Sequence, residues 1–170
     1  FTEAPLRMEC GVSLSPVEVA YETWGLLDAD ASNAVLLIHA LTGDSHAAVH
    51  VPGDRPGWFE GAVGPGRALD PAKHYIVCAN WLGSNYGSTG PVSKNPATGR
   101  PWDRTFPQVA ISDMTRALKA LADHLCIARW TAAVGGSVGG LIALDYAARY
   151  PEALRGVVPM ATAFRASPWV

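Results

Sequence analysis

Three runs of consecutive apolar residues divide the chain, and each has the length of a β-strand. The runs lie at residues 34–38, 75–79 and 130–134. An uninterrupted apolar run is typical of a strand that is covered on both faces, as in a parallel sheet. A further run at residues 156–160 predicts a last strand of the same kind.

Two segments between and after these runs have helical character. The first is predicted at residues 112–126, with Ser112 as its N-cap. Its apolar side chains recur at three- and four-residue steps, at Met114, Leu118, Leu121 and Leu125. The second helix is predicted at residues 141–149 and ends before Pro151. Strands that alternate with helices predict an α/β fold, with a mostly parallel sheet flanked by helices.

The N-terminal part has a different pattern, which predicts a β-hairpin. Its two strands are expected at residues 6–14 and 17–23, with Ser15 and Pro16 near the turn. The second strand alternates apolar and polar side chains, as a half-exposed antiparallel strand does. Residues 80–107 are rich in glycine, asparagine and proline and predict a long loop, and loops of that length are usually functional.

The composition fits one domain, residues 1–170, with a large core. Hydrophobic residues make up 49% of the chain and charged residues 16%. The net charge is -2 and no basic stripe is present, so a nucleic-acid partner is not expected. No apolar stretch is long enough to span a bilayer, so a membrane partner is not expected either.

Cysteine usage indicates a reducing compartment. Cys10, Cys78 and Cys126 are widely spaced and form no C-x-x-C pair, so neither a disulfide framework nor a zinc site is expected from them. Cys78 lies inside an apolar run and is expected to be buried as a small hydrophobic residue. The resulting expectation is a cytoplasmic localisation.

The pentapeptide Gly135-Gly136-Ser137-Val138-Gly139 carries the clearest chemical signal. It has the pattern G-x-S-x-G and lies between a predicted strand and a predicted helix, the context that a nucleophile elbow requires. The strained turn at such a serine needs small neighbours, which the glycines at 135, 136, 139 and 140 are expected to supply. The alternative is a glycine-rich turn that binds a phosphate or binds nothing.

Ser137 is therefore the candidate catalytic nucleophile of an acyl-transfer site. The backbone N–H of the residue after the nucleophile, Val138, is the first expected donor of an oxyanion hole. The second donor is expected in the loop after residues 34–38, where the N–H of Leu41 is the candidate. Each donor of this kind typically contributes about 3 kcal/mol of transition-state stabilisation.

Other side chains in the loops have a weaker signal. His39 and His46, with Asp44 between them, suggest a metal site, but no further ligand pair with usable spacing is apparent. Packing or loop ordering is the favoured interpretation, and no metal is expected. Four loop aromatics could line a pocket or simply pack, with packing favoured: Trp58, Trp81, Tyr86 and Trp102.

The chain resembles the homoserine O-acetyltransferases. The similar segments are residues 39–47, 56–59, 64–70, 86–91, 95–101, 106–107 and 135–140, and the resemblance covers essentially the whole chain. It implies an α/β-hydrolase fold that transfers an acetyl group from acetyl-CoA to the hydroxyl of L-homoserine, in methionine biosynthesis, through an acyl-Ser137 intermediate. It further implies small-molecule substrates, with acetyl-CoA as a co-substrate and no cofactor, and a homodimer is one expected assembly.

Two departures from the family pattern leave alternatives open. Val138 stands where the family usually has methionine, and residues 81–85 differ from its commoner sequence. Either change could alter the acyl or the alcohol pocket. The alternatives are an acceptor such as serine or another alcohol, a succinyl-CoA donor, hydrolysis on the same fold, and a non-catalytic module.

A serine nucleophile of this kind also needs a histidine base and an acid, which follow the serine in this fold. All five histidines precede Ser137, and the acids after it, Asp145 and Glu152, lie where solvated helix residues are expected. The chain is thus expected to be the N-terminal part of a larger catalytic domain, ending before the lid and the last strands and inactive alone.

Overall fold

The computed structural model describes residues 5–163. The strands are β1 (Leu6–Arg7), β2 (Ser13–Leu14), β3 (Tyr21–Trp24), β4 (Ala34–Ile38), β5 (Tyr75–Ala79), β6 (Ala132–Gly136) and β7 (Val157–Met160). The helices are α1 (Ile111–His124) and α2 (Val138–Arg149), with short 3₁₀ helices at Asp103–Thr105 and Pro151–Ala153.

A five-stranded sheet with the order β3-β5-β4-β6-β7 forms the centre of the protein. Strands β5, β4, β6 and β7 are parallel, and β3 joins the edge antiparallel to β5. The mostly parallel sheet predicted from the apolar runs is confirmed. The carboxyl ends of β4 and β6 are neighbours, since Ile38 pairs with Gly135, and this brings the loop after β4 beside the turn after β6.

The central strand β4 is buried on both faces, as its sequence predicts. Leu36 and Ile38 point to the core that includes α1 and α2, whereas Val35 and Leu37 point to the opposite core. That second core is closed by residues of the loop between β4 and β5, among them Ala47, Ala48, Val63 and Leu69. Burial of a leucine side chain contributes about 2 kcal/mol, so both layers stabilise the sheet.

The predicted N-terminal hairpin is wrong in its pairing. The hairpin lies within residues 6–14, where β1 pairs with β2 and Gly11, with φ of 87°, makes the turn. Residues 21–24 pair with β5 instead. The backbone N–H groups of Glu18 and Ala20 donate to Thr89 Oγ1 and Ser88 Oγ, which guides this segment along the long loop towards β5.

Helix α1 begins one residue before its predicted N-cap. The N-cap is Ala110, whose N–H donates to Asp113 Oδ2 at 2.9 Å. Ser112 lies inside the first turn, and its hydroxyl bonds to Glu9 instead. The predicted apolar face is confirmed, with Met114, Leu118 and Leu121 buried. The loop predicted at residues 80–107 is also observed, because the 3₁₀ turn is its only regular helix or strand.

None of the helices in residues 5–163 combines the length and the apolar character that a membrane span requires.

Candidate active site

Ser137 occupies the turn between β6 and α2 in a conformation that serine rarely adopts. Its φ is 53° and its ψ is -119°, and its side chain is exposed. A non-glycine residue at positive φ is strained, and such strain is concentrated at functional sites. Three backbone bonds fix the turn: the Ser137 N–H donates to Met160 O at 2.9 Å, and the Ser137 carbonyl accepts from the N–H groups of Gly140 at 3.0 Å and Leu141 at 3.2 Å. The serine is thus presented to solvent at the carboxyl edge of the sheet.

Glycines allow this turn because other backbone atoms pass very close to it. A Cβ at Gly135 would lie 2.2 Å from Gly139 O, and a Cβ at Gly139 would lie 2.3 Å from Ile38 O. A Cβ at Gly140 would lie 2.7 Å from Thr162 Cγ2. The predicted need for small residues is confirmed at these three positions. It is wrong for Gly136, where a Cβ would meet no atom of residues 5–163 within 4 Å.

The N-terminus of α2 provides a free backbone donor beside Ser137. Val138 is the first residue of the helix, and within residues 5–163 its N–H donates no hydrogen bond. The first N–H groups of a helix have no intrahelical acceptor and carry the positive end of the helix dipole. The Val138 amide is therefore available to an anion that forms near the serine Oγ.

The loop after β4 lies directly against this turn, as the contact of Gly139 with the Ile38 and His39 carbonyls shows. Leu41 is 70% exposed, and its N–H also donates no hydrogen bond within the described residues. The carbonyl on the other side of the same peptide, Ala40 O, accepts from Gly43 N–H at 2.9 Å and from His39 Nδ1 at 2.7 Å. Since C=O and N–H point in opposite directions in a trans peptide, these two bonds also set the direction of the Leu41 N–H.

His39 is buried and acts within this loop as a neutral donor. A carbonyl can only accept, so the bond to Ala40 places the proton on Nδ1. Burial lowers the pKa of His39, against the opposing effects of the Ala40 carbonyl and the Asp44 charge. The ring stacks on Trp81 with centroids 5.3 Å apart. The structure thus supports the packing interpretation of His39 and adds a hydrogen bond that the sequence did not reveal.

No histidine or carboxylate side chain in residues 5–163 forms a hydrogen bond with Ser137. Asp145, on α2, pairs with Arg149 at 2.7 Å, and Glu152 lies in the 3₁₀ turn after the helix. These positions agree with the expectation that neither acid belongs to a triad. The described residues therefore include the candidate nucleophile and the two candidate amide donors, and none of their histidines or carboxylates hydrogen-bonds to the serine.

The metal combination suggested by sequence spacing does not assemble. Asp44 Oδ1 accepts the N–H of His46, while Asp44 Oδ2 pairs with Arg55. His46 instead meets Glu22 and His50, and the potential ligand atoms of these three all lie within 4.8 Å of one another. Sequence reasoning missed this group, although the four-residue step from His46 to His50 was a usable signal.

The four loop aromatics have different surroundings. Trp81 is 5% exposed and packs on His39, and the Trp58 indole donates to Asp44 O at 2.8 Å. Tyr86 is exposed. Trp102 packs edge-on against Phe106 and also lines a cavity of about 1040 Å³. The residues around that cavity, which lie between 91 and 105, include neither Ser137 nor the two amide donors.

Comparison with known proteins connects this geometry to a family. Residues 33–169 match the family model described as alpha/beta hydrolase fold. Homoserine O-acetyltransferase of Carboxydothermus hydrogenoformans is 52% identical over 166 residues, which are 96% of this chain and 44% of that protein. Homoserine O-succinyltransferase of Acidithiobacillus ferrooxidans is 51% identical over 162 residues, or 94% of this chain and 42% of that protein.

Solved structures give the same result. Homoserine O-acetyltransferase from Bacillus anthracis superimposes with a TM-score of 0.92 at 32% identity. The match covers 99% of this chain and 47% of that protein. Esterase E22 superimposes with a TM-score of 0.87 at 31% identity, covering 99% of this chain and 48% of its own.

The chain spans less than half the length of the curated relatives it matches. The resemblance to homoserine O-acetyltransferases noted in the sequence is confirmed by these relatives. The sheet is mostly parallel, and a strained serine lies between a strand and a helix, as the matched family model leads one to expect. The chain belongs to the alpha/beta hydrolase fold family.

Proposed function

We propose that the protein carrying this chain transfers an acetyl group from acetyl-CoA to the hydroxyl of L-homoserine, with Ser137 as the nucleophile. The observation that carries the proposal is Ser137 itself, which is exposed at positive φ and has nearby two amides that find no acceptor among residues 5–163. The names of the relatives support the substrates. Small-molecule substrates, a cytoplasmic location and a place in methionine biosynthesis are parts of the same proposal.

In the first half-reaction, Ser137 Oγ attacks the thioester carbonyl and transfers its proton to a histidine base. The negative charge that develops on the carbonyl oxygen is stabilised by the N–H groups of Leu41 and Val138. The C–S bond then breaks, and the CoA sulfur leaves as a thiol with the proton from the base. We assign the base and its orienting acid to the part of the relatives' length that this chain does not span.

In the second half-reaction, the homoserine hydroxyl attacks the acyl-Ser137 ester. The base takes the hydroxyl proton and returns it to Ser137 Oγ, while the same two amides again hold the oxyanion. The products are O-acetylhomoserine and the free serine. The reaction needs no redox step, so no redox cofactor enters the proposal, and the assembly as a homodimer stays a prediction.

The similarity to esterase E22 favours a second candidate, in which water accepts the acyl group. The nucleophile and the donors would be the same, and only the acceptor pocket would differ. Release of CoA from acetyl-CoA that depends on homoserine supports the transferase, whereas rapid cleavage of simple acetyl esters without an alcohol supports the esterase. Succinyl-CoA and L-serine, tested in parallel, decide the donor and the acceptor.

Replacing the nucleophile gives the direct test of the site. In the full-length protein we expect Ser137→Ala to lower kcat by about 10⁴-fold or more, because only binding and the oxyanion donors remain. The matched control is Ser32→Ala, since the Ser32 hydroxyl donates to Asp28 and the Ser32 carbonyl accepts from the Thr131 hydroxyl, at the end of β6 opposite to the elbow. Full activity in Ser137→Ala would contradict the proposed function.

A further inference from the structure

Glu22, His46 and His50 form a cluster that the proposed reaction does not use. Glu22 Oε2 lies 2.8 Å from His46 Nδ1 and 2.8 Å from His50 Nε2. Glu22 belongs to β3, whereas both histidines belong to the loop between β4 and β5. One carboxylate oxygen thus joins two imidazole rings that come from a different part of the chain.

Two imidazole nitrogens and one carboxylate oxygen are a donor set that suits a zinc-type divalent ion. Zinc takes such ligands at about 2.0–2.2 Å in tetrahedral geometry, which separates neighbouring ligand atoms by roughly 3.3 Å. The two 2.8 Å separations therefore need to widen by only about half an ångström, and all three ligand atoms already lie within 4.8 Å of one another. The third pair, the two histidine nitrogens, lies within the same 4.8 Å and needs to close by no more than about 1.5 Å.

Each of the three side chains also has a contact outside the cluster that orients it, as metal ligands generally do. Glu22 Oε1 accepts a bond from Ser45 Oγ at 2.9 Å. His46 Nε2 donates to the Arg55 carbonyl at 2.8 Å, which leaves Nδ1 to face the cluster. The His50 ring stacks on Trp24, with centroids 4.6 Å apart and planes 7° from parallel. These partners fix the rings and the carboxylate independently of the bonds within the cluster.

The cluster is open to solvent at His50 and Glu22, whereas His46 is buried. The side chain of His46 is 6% exposed, whereas that of His50 is 36% exposed. His50 and Trp24 also line a cavity of about 450 Å³. An ion can therefore enter past His50, and a water molecule can complete its coordination from the same side.

We propose that Glu22, His46 and His50 bind one zinc-type divalent ion, which ties β3 to the loop that follows β4. The ion would take the place of the two hydrogen bonds that His46 and His50 make to Glu22 Oε2, with Glu22 Oε2, His46 Nδ1 and His50 Nε2 as its three protein ligands. The same loop begins with His39 and Leu41, so the ion would stabilise the segment that carries the second amide donor. Among residues 5–163 no hydrogen bond or ion pair joins the cluster to Ser137, and the proposal does not depend on the reaction.

The test is metal binding by the full-length protein after treatment with a chelator. Calorimetric titration with Zn²⁺ is expected to give one site per chain. In thermal unfolding, the Tm is expected to rise with the concentration of the ion. Co²⁺ used in place of Zn²⁺ is expected to show the visible absorption of a tetrahedral nitrogen and oxygen site. Thiolate-to-metal charge transfer would instead assign the ion to Cys10 or Cys126, which are exposed, and would overturn the proposal.

Single substitutions identify the ligands. His50→Gln is expected to weaken Zn²⁺ binding by at least tenfold, and because His50 is on the surface this variant should fold. His46→Gln is expected to remove the site, and Glu22→Gln is expected to weaken it. His124→Gln is the matched control, since His124 is an exposed histidine on α1, and its binding should equal that of the wild type. Unchanged binding in His50→Gln, or no binding to the wild type, would show that the cluster is held by hydrogen bonds alone.

Discussion

At the scale of single residues, the proposed site depends on the direction of two backbone N–H groups, those of Leu41 and Val138. The strained turn at Ser137 could be predicted because its pattern, G-x-S-x-G between a strand and a helix, is local in the sequence. The hydrogen bond from His39 to Ala40 could not be predicted, because it depends on the direction of a ring in a folded loop. The hydrogen bond between Glu22 and His46 was not predicted either, because the two residues are 24 positions apart and come into contact only when β3 joins the sheet.

If the proposed function holds, the bond from His39 to Ala40 gives His39 a positioning role, and this leads to a kinetic prediction. His39→Phe keeps an aromatic ring against Trp81 but removes the donor to Ala40 O, so the Leu41 N–H loses part of its fixed direction. We expect kcat to fall about tenfold or more, approaching the loss of an oxyanion donor, while KM changes little. His39→Asn, which can donate from a similar position, should recover part of kcat. A Phe variant with wild-type kcat would refute this role.

The glycines of the elbow give a prediction with an internal control. Gly139→Ala would place a Cβ 2.3 Å from Ile38 O, so the turn must shift, and we expect a loss of about 2–4 kcal/mol in the free energy of unfolding. Gly136→Ala meets open space within the described residues and should change it by less than about 1 kcal/mol. Chemical denaturation of the two full-length variants measures both. Equal losses would mean that the packing at Gly139 is not what requires glycine there.

At the scale of elements, strands and helices were predicted where local periodicity determines them. β4 and β5 were found at their predicted positions because continuous apolar runs identify buried strands. The predicted pairing of the N-terminal hairpin was wrong because a strand can pair with a partner far away in sequence, and all four residues of β3 pair with β5. The start of α1 was misplaced because Asp113, rather than Ser112, accepts the bond at that end, from the N–H of the N-cap residue Ala110.

Asp113 ties the start of α1 to the N-terminal hairpin, and this predicts a large effect of its removal. The side chain is fully buried and accepts bonds from the N–H groups of Glu9 and Ala110, both at 2.9 Å, and from Arg116. Asp113→Ala leaves these donors without partners and should lower the free energy of unfolding by about 2–4 kcal/mol. The measurement is urea denaturation of the full-length protein.

The control for this prediction is an aspartate of the same helix. Asp123 is exposed and pairs with Lys119 one turn away. Asp123→Ala should reduce the free energy of unfolding by no more than about 0.5 kcal/mol, because exposed ion pairs contribute little. If the two variants lost the same stability, the hydrogen bonds of Asp113 would not be the anchor of this helix.

At the scale of the whole molecule, the sheet brings together functional groups that are about a hundred residues apart in sequence. The pairing of β4 with β6 places the Leu41 loop beside Ser137, and the crossover through α1 makes that neighbourhood possible. This arrangement was predictable, because parallel strands connected by helices share one carboxyl edge. The base and the acid were not found among residues 5–163, and the chain covers 44% of its relative from Carboxydothermus hydrogenoformans.

The measurement that tests the central claim most directly is the detection of an acyl-enzyme. The full-length protein would be mixed with acetyl-CoA in the absence of homoserine, quenched in acid, digested and analysed by mass spectrometry. The proposed function predicts one added acetyl group on the peptide that contains Ser137, its loss when homoserine is supplied, and its absence in Ser137→Ala. Turnover without any acylated Ser137, or acylation at another residue, would contradict the role assigned to this serine.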